Sequence, residues 1–192
     1  PYHFPHTTEA AGTAVVYGAD DRFYQNIFLG GTKLPYEAAV FDGTADYNEC
    51  PENLEVYLEE VIRKEYGDLE DHLYTNQPAY VNGNVYLRGA DAYTAEKDNY
   101  VSVEDPGVKI VTEDGAVYLE MEVEQGVLNV NTEVIDTKRL GTVRIVEALY
   151  EDPEGNPVTL DRDYNGVLRG EHPVAGPLEE LQEGYNRIKV WG

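Results

Sequence analysis

The sequence predicts a mostly β chain with one helix, its first half built of stacked parallel coils and its second half folded as an antiparallel β-sandwich. Three observations carry that expectation. The pattern Asn, apolar, aromatic, Leu, any, Gly occurs twice, at 26–31 and at 84–89. One stretch, 51–66, spaces its apolar residues as a helix does. From Val101 onward the apolar residues come in short runs parted by turn sequences, with no helical period.

In chain order, Thr13–Gly18 reads as a strand, Arg22–Gly30 as a second and Glu37–Asp42 as a third, on their aromatic and β-branched content. Within Pro51–Tyr66, Leu54, Leu58, Val61 and Ile62 fall on one helical face. Pro51 suits the first helical position, Glu52 and Glu55 the positive end, Arg63 and Lys64 the negative end, and Gly67 the stop. Ala79–Gly89 returns to strand. The two Asn patterns lie 58 residues apart, so the helix becomes an excursion between coils, and each Asn amide can bond its equivalent one coil away. Two ordinary strands would read equally well from six residues.

In the second half, Val108–Val111, Ala116–Val123, Val127–Val130, Thr142–Val146, Pro157–Leu160 and Asn186–Trp191 read as strands between turns such as Glu113-Asp114-Gly115 and Asn165-Gly166. Val117, Leu119, Met121 and Val123 oppose Tyr118, Glu120, Glu122 and Glu124, the alternation of a half-buried strand. Trp191, the sole Trp, reads as core. The stretch Ala92–Asp105 joins the halves. This gives terminal coils over 1–100, with the helical excursion at 51–66, and the sandwich over 101–192.

The 192 residues suit one domain or two small ones, and 42% hydrophobic with 27% charged residues is a globular composition. The net charge is −23, and the acid is spread over both halves. So negative a chain repels phosphate backbones and anionic lipid, which argues against nucleic-acid and membrane partners. A solvated surface explains the acidity most simply; high-salt adaptation or Ca²⁺ sites are sharper readings, and no EF-hand string supports calcium. The single cysteine, Cys50, excludes an internal disulfide and reads as a quiet thiol beside the helix start. The chain begins at Pro1, without Met or a signal sequence, and so reads as a fragment or a processed product.

Three clusters are candidates for chemistry. Tyr2-His3-Phe4-Pro5-His6-Thr7-Thr8-Glu9 pairs His with a carboxylate but lacks a zinc-binding order, so substrate contact or a hydrogen-bonded loop is expected rather than a metal. Asp20-Asp21-Arg22 suits either a sugar-orienting group or a charge-paired turn. Asp161, Asp163 and Tyr164 read as a solvated turn. With 37 acidic residues, carboxylate pairs carry no information about glycoside hydrolysis by themselves.

The strings PYHFPHTTEAAG, GADDRFYQNIFLGG, GNVYLRGA, YEDPEGNPVTLDRDYNG and GYNRIKVW resemble the C-terminal portion of right-handed parallel β-helix glycosidases, the β-xylosidases of glycoside hydrolase family 120 in particular. The resemblance implies the last coils of a right-handed parallel β-helix followed by an immunoglobulin-like β-sandwich. It implies part of a retaining enzyme acting on xylo-oligosaccharides, without a cofactor, from a parent that forms homo-oligomers. The nucleophilic Asp and acid/base Glu of that family are expected upstream of Pro1, in the parent or in a partner chain, so no catalytic role falls on this chain and the isolated chain is expected to be inactive. His6, Glu9, Asp20 and Arg22 are the expected substrate-binding wall. The competing expectation is a non-catalytic carbohydrate-binding or cell-surface module using exposed members of its 16 Tyr; a third is an acidic interaction scaffold without a ligand. Cytoplasmic and secreted locations suit the sequence equally.

Overall fold

A computed structural model describes residues 2–12, 18, 20–31, 43–63, 75–144 and 146–192. Among them the chain is mostly β, in small parallel and antiparallel sheets with few helices. The expected strand at 37–42, nearly all of that at 13–18 and the helix end at 64–67 lie outside the described residues. Two compact units make up the chain, each assembled from separated stretches: Pro1–Arg22, Glu49–Tyr80 and Ile135–Thr159 in the first, Phe23–Asn48, Val81–Val134 and Leu160–Gly192 in the second.

The second unit holds the repeated pattern. Strand β3 (Arg22–Tyr24) pairs with β5 (Tyr80–Asn82), while β4 (Ile27–Leu29), β6 (Asn84–Leu87) and β7 (Asn99–Val101) form a parallel sheet in the order β4-β6-β7. The runs 22–30 and 79–89 each read as one strand from sequence and are each two. Gln25 (φ 58°) breaks the first and Gly83 (φ 74°) the second, at matching places in the pattern. Ile27 faces Val85, Phe28 faces Tyr86 and Leu29 faces Leu87, the 58-residue register of the echo. The glycines closing the two copies, Gly31 (φ 73°) and Gly89 (φ 80°), both adopt the left-handed backbone that favours glycine.

The Asn residues do what the pattern requires. Asn84 Oδ1 accepts from the Asn26 backbone N–H at 2.8 Å and from Asn26 Nδ2 at 3.0 Å. A third rung follows at a spacing of 15 residues, with Asn84 opposite Asn99 and Val85 opposite Tyr100. Asn84, Val85, Tyr86 and Leu87 are all buried, and the Tyr86 ring stacks on Phe28 with centroids 5.2 Å apart.

The antiparallel sheet orders β12 (Gly184–Trp191), β9 (Ala116–Val123) and β8 (Lys109–Glu113). Met121 and Val123 of β9 enter the core with Val85 and Leu87, and Leu119 packs against it, as the alternation predicts. Val127, Ala175, Leu178 and Leu181 complete that core.

Four expectations are corrected. The run 127–130 contributes to a helical turn, α2 (Gln125–Leu128), in which Gly126 packs so closely on the Tyr100 ring that a Cβ would clash. In 142–146 only Thr142–Val143 (β10) forms a strand, paired with β11 (Ala148–Leu149), and 157–160 makes isolated bridges only. Trp191 is 69% exposed: it follows an irregularity in the β9–β12 register at the end of the sheet, where the core does not reach.

The fourth correction concerns the helix of the first unit, α1 (Leu54–Arg63). Its N-cap is Asn53, whose Oδ1 accepts from the Val56 N–H at 3.0 Å, rather than a start at Pro51. Leu54 and Leu58 are exposed and Tyr57 is buried to 2%. A tyrosine carries both apolar area and a hydroxyl that needs a partner, and the site below supplies one.

Candidate functional site

The site lies in the first unit. A short hairpin of β1 (Tyr2–His3) and β2 (Ala10–Gly12) carries the His-containing motif at its tip. The tip is closed by backbone bonds from Phe4 N–H to the Glu9 carbonyl and from Thr7 N–H to the Phe4 carbonyl. His6 is held at φ 57° and its Nε2 lies 3.5 Å from Glu151 Oε2, with the imidazole more than half exposed. The Glu9 N–H donates to Thr7 Oγ1 at 3.1 Å, and the residue is exposed.

Asp20 and Arg22 form a second, buried group. Their side chains are 14% and 7% exposed, and Arg22 Nη1 stands 3.2 Å from Asp20 Oδ1. Nε donates to the Leu140 carbonyl at 2.7 Å, Nη2 to the Thr142 carbonyl at 2.8 Å, and Nη1 also to the Asp20 carbonyl at 2.6 Å. The carbonyl of Leu140 is offered by a short helical turn, α3 (Thr137–Leu140), capped by Asp136 and ended by Gly141. The Arg22 guanidinium lies between the rings of Tyr80, at 4.6 Å, and Tyr150, at 5.0 Å. A planar cation with five donors meets three carbonyls, a carboxylate and two π faces here, so Arg22 clamps 140–142 to the start of β3.

Arg144 is anchored beside it. Its N–H donates to Asp20 Oδ2 at 3.2 Å, its Nε to Gln77 Oε1 at 2.5 Å and its Nη2 to the Tyr57 hydroxyl at 3.1 Å, with the guanidinium over the Tyr57 ring at 4.5 Å. Asp20 thus serves two arginines from a left-handed backbone (φ 66°). Around this framework opens a cavity of about 450 Å³, bordered by Arg22, Tyr80, Arg139, Thr142, Arg144 and Glu147, with Leu54 and Leu140 as apolar wall. Glu147 is also left-handed, at φ 50°. Strained non-glycine residues persist where the surroundings dictate them, and they cluster at functional sites. Burial, followed by the nearby Asp20 charge, pushes the Tyr80 hydroxyl above the ordinary phenol range, which keeps it a donor at neutral pH.

Of the residues expected from sequence, Asp20 and Arg22 come together as a pair. His6 reaches Glu151, which adjoins Tyr150. Asp163 is buried rather than solvated: its carboxylate accepts from the N–H groups of Asn165, Val167 and Glu179, locking a turn of the second unit. Tyr80, Arg139, Thr142, Arg144 and Glu147 went unnoticed; the available signal was the placing of Lys138, Arg139 and Arg144 together in so acidic a chain. Among the described residues no group of His, Cys, Asp and Glu could hold a metal ion, and no helix is long and apolar enough to cross a membrane.

Among solved structures, that of XylC in complex with xylose superposes on this chain with a TM-score of 0.87 and 43% sequence identity, over 99% of this chain and 29% of that one. The chain resembles part of XylC. This bears out the resemblance read from the strings quoted above. The chain spans 29% of the length of XylC, so most of that molecule has no counterpart here. No protein-family model matches the chain, and no curated protein matches it.

Proposed function

We propose that this chain is part of a retaining β-xylosidase-like glycoside hydrolase acting on xylo-oligosaccharides. The observation that carries this is the 43% identity, along nearly the whole chain, to a protein whose structure holds xylose. In this reading the parallel rungs at 26, 84 and 99 are the last coils of a right-handed β-helix within residues 1–100, and 101–192 is an immunoglobulin-like sandwich. The in-register Asn26–Asn84 bond and the antiparallel β8–β9–β12 sheet support those two assignments.

The nucleophile and the acid/base are carboxylates of another segment of the enzyme or of a second chain. One attacks the anomeric carbon while the other protonates the leaving oxygen, and water then releases xylose from the covalent intermediate with retention. His6, Glu9, Asp20 and Arg22 contribute to the substrate wall. Arg22, whose donors are turned to protein carbonyls, acts by holding 140–142 in place.

The test compares the 192-residue chain with a longer protein that carries it, on an aryl β-xyloside. The longer protein should hydrolyse it with retention of configuration by NMR, and the chain alone should not. Inactivity of the longer protein would defeat the reading, and so would turnover by the chain alone that vanishes in Glu9→Ala. One observation favours a second reading, a carbohydrate-binding module: Trp191 and Tyr185 are 69% and 60% exposed. Titration of the chain with xylo-oligosaccharide, followed by Trp fluorescence, decides for it if Trp191 responds.

A further inference from the structure

The cavity of the first unit is set apart by its charge. In a chain of net charge −23 with eight arginines, three of the eight border it. Asp20 neutralises Arg22 from beneath, at 3.2 Å. That leaves Arg139 and Arg144 set against Glu147, the one acid among the described residues of the lining, a local surplus of one positive charge. Arg144 is bound through Nε and Nη2 only, so its Nη1 has no protein acceptor among the described residues. Burying a cation with unused donors beside an open cavity is costly unless an acceptor enters.

We propose that this cavity binds a sugar acid, a hydroxylated ring bearing one carboxylate, of the hexuronic-acid class. The carboxylate lies against Arg139 and Arg144, where charge-assisted hydrogen bonds are strongest. The ring hydroxyls meet Glu147 as acceptor and Thr142 and Tyr80 as partners, and the ring C–H face meets Leu54 and Leu140. A volume of about 450 Å³ lies within the usual range for small-molecule sites. A single surplus charge suits a monoanion better than a phosphate dianion, and a neutral pentose would leave both arginines unused. The choice of a sugar over another hydroxylated acid rests on the glycosidase reading; the selection of a carboxylate rests on the cavity alone.

Calorimetric titration of the 192-residue chain with D-glucuronate, D-xylose and acetate tests the proposal. Glucuronate should bind at least about tenfold more tightly than either of the others, and its affinity should fall when salt is raised. Arg139→Gln should weaken it about tenfold to a hundredfold, and Arg139→Lys by less. Glu147→Gln should raise the affinity for acetate and so narrow the preference for glucuronate. A melting temperature unchanged in Arg139→Gln separates lost binding from lost folding. Equal binding of xylose and glucuronate, equal binding of acetate, no binding of glucuronate, or an Arg139→Gln variant that folds and binds as before would each overturn the proposal. Glucuronate binding beside an inactive longer protein would uphold this site and defeat the xylosidase reading; xylosidase activity without glucuronate binding would do the reverse.

Discussion

The second unit contains two three-stranded sheets of opposite character. In the antiparallel sheet β8–β9–β12, one face carries Leu119, Met121 and Ile188 toward the core, and the other carries ions: Arg187 pairs with Glu120 at 3.0 Å and with Glu113, over the Tyr118 ring at 4.0 Å. In the parallel sheet β4–β6–β7, the central strand β6 is buried along its whole length, and its polar groups are answered from inside the protein. Glu96 Oε1 accepts from the Asn84 N–H and from Asn84 Nδ2, each at 2.9 Å, and Glu96 Oε2 accepts from the Tyr86 hydroxyl at 2.7 Å. Thr44 Oγ1 lies 2.7 Å from the same hydroxyl and accepts from the Tyr93 N–H at 2.9 Å. A charge on a wet face can be exchanged for water, whereas a polar group in a covered strand has only its protein partner. Equal-looking hydrogen bonds should therefore differ widely in what their loss costs.

The largest effect is expected at Glu96→Ala. It orphans three buried donors, two from Asn84 and one from Tyr86, at about 1–3 kcal/mol each, so urea unfolding should show a loss of at least about 3 kcal/mol. A loss below about 1 kcal/mol would mean that water replaces the carboxylate and that the sheet is not covered. Next comes Met121→Ala on the apolar face of β9, where truncating a buried Met costs about 2–5 kcal/mol through lost transfer energy and the cavity left behind. Together the pair asks whether a polar and an apolar anchor of one core are comparable.

These two positions also show why the sheets were unequally legible. The alternation of β9 is a period-two signal over eight residues, and its inward set entered the core as read. In the covered sheet alternation is lost, and only the Asn at the head of each run betrayed it. Asn26 and Asn84 were found because six residues repeat; Asn99-Tyr100-Val101 was missed because three residues with their aromatic shifted by one are too few. Glu96 gave no signal, since one carboxylate among 37 acidic residues is indistinguishable until its burial is known. Asp20 and Arg22 were legible as neighbours. Their partners at Leu140 and Thr142 lie about 120 residues away and are backbone carbonyls, which no side-chain pattern encodes. The run 127–130 was misread because four residues of apolar character suit a strand or a helical turn alike, and the close fit of Gly126 on Tyr100 decided it.

Titration gives a finer separation. Burial raises the Glu96 carboxyl above its ordinary value of 4.5, against the lowering effect of the Tyr86 and Asn84 donors. In the window between 4.5 and the raised value, the folded state holds a proton that the unfolded chain has released. The contribution of Glu96 to stability is therefore greatest below 4.5 and falls as pH rises through that window. Asp152 runs the opposite way: hydrogen bonds from the Asn156 backbone and then its side chain lower its value, so its contribution is present above the ordinary range and lost on acidification. Urea midpoints across pH 4–8 should show a slope that flattens in Glu96→Gln, because the amide keeps an acceptor for Asn84 without the charge. A slope unchanged by that substitution would assign the acid response to other carboxylates.

The smallest effect is expected at Arg187→Ala. Although this residue touches two carboxylates and a ring, its side chain is 36% exposed, and Glu113 is 57% exposed. Water and counterions replace such partners readily, so the melting temperature should fall by about 2 °C or less, and by less still in high salt. In a chain of charge −23 the loss of a cation also adds repulsion between Glu113 and Glu120, which salt screens as well. A fall as large as that of Glu96→Ala, persisting in high salt, would show that the outer face of β8–β9–β12 is covered in the protein that carries this chain, and would erase the contrast between the two sheets.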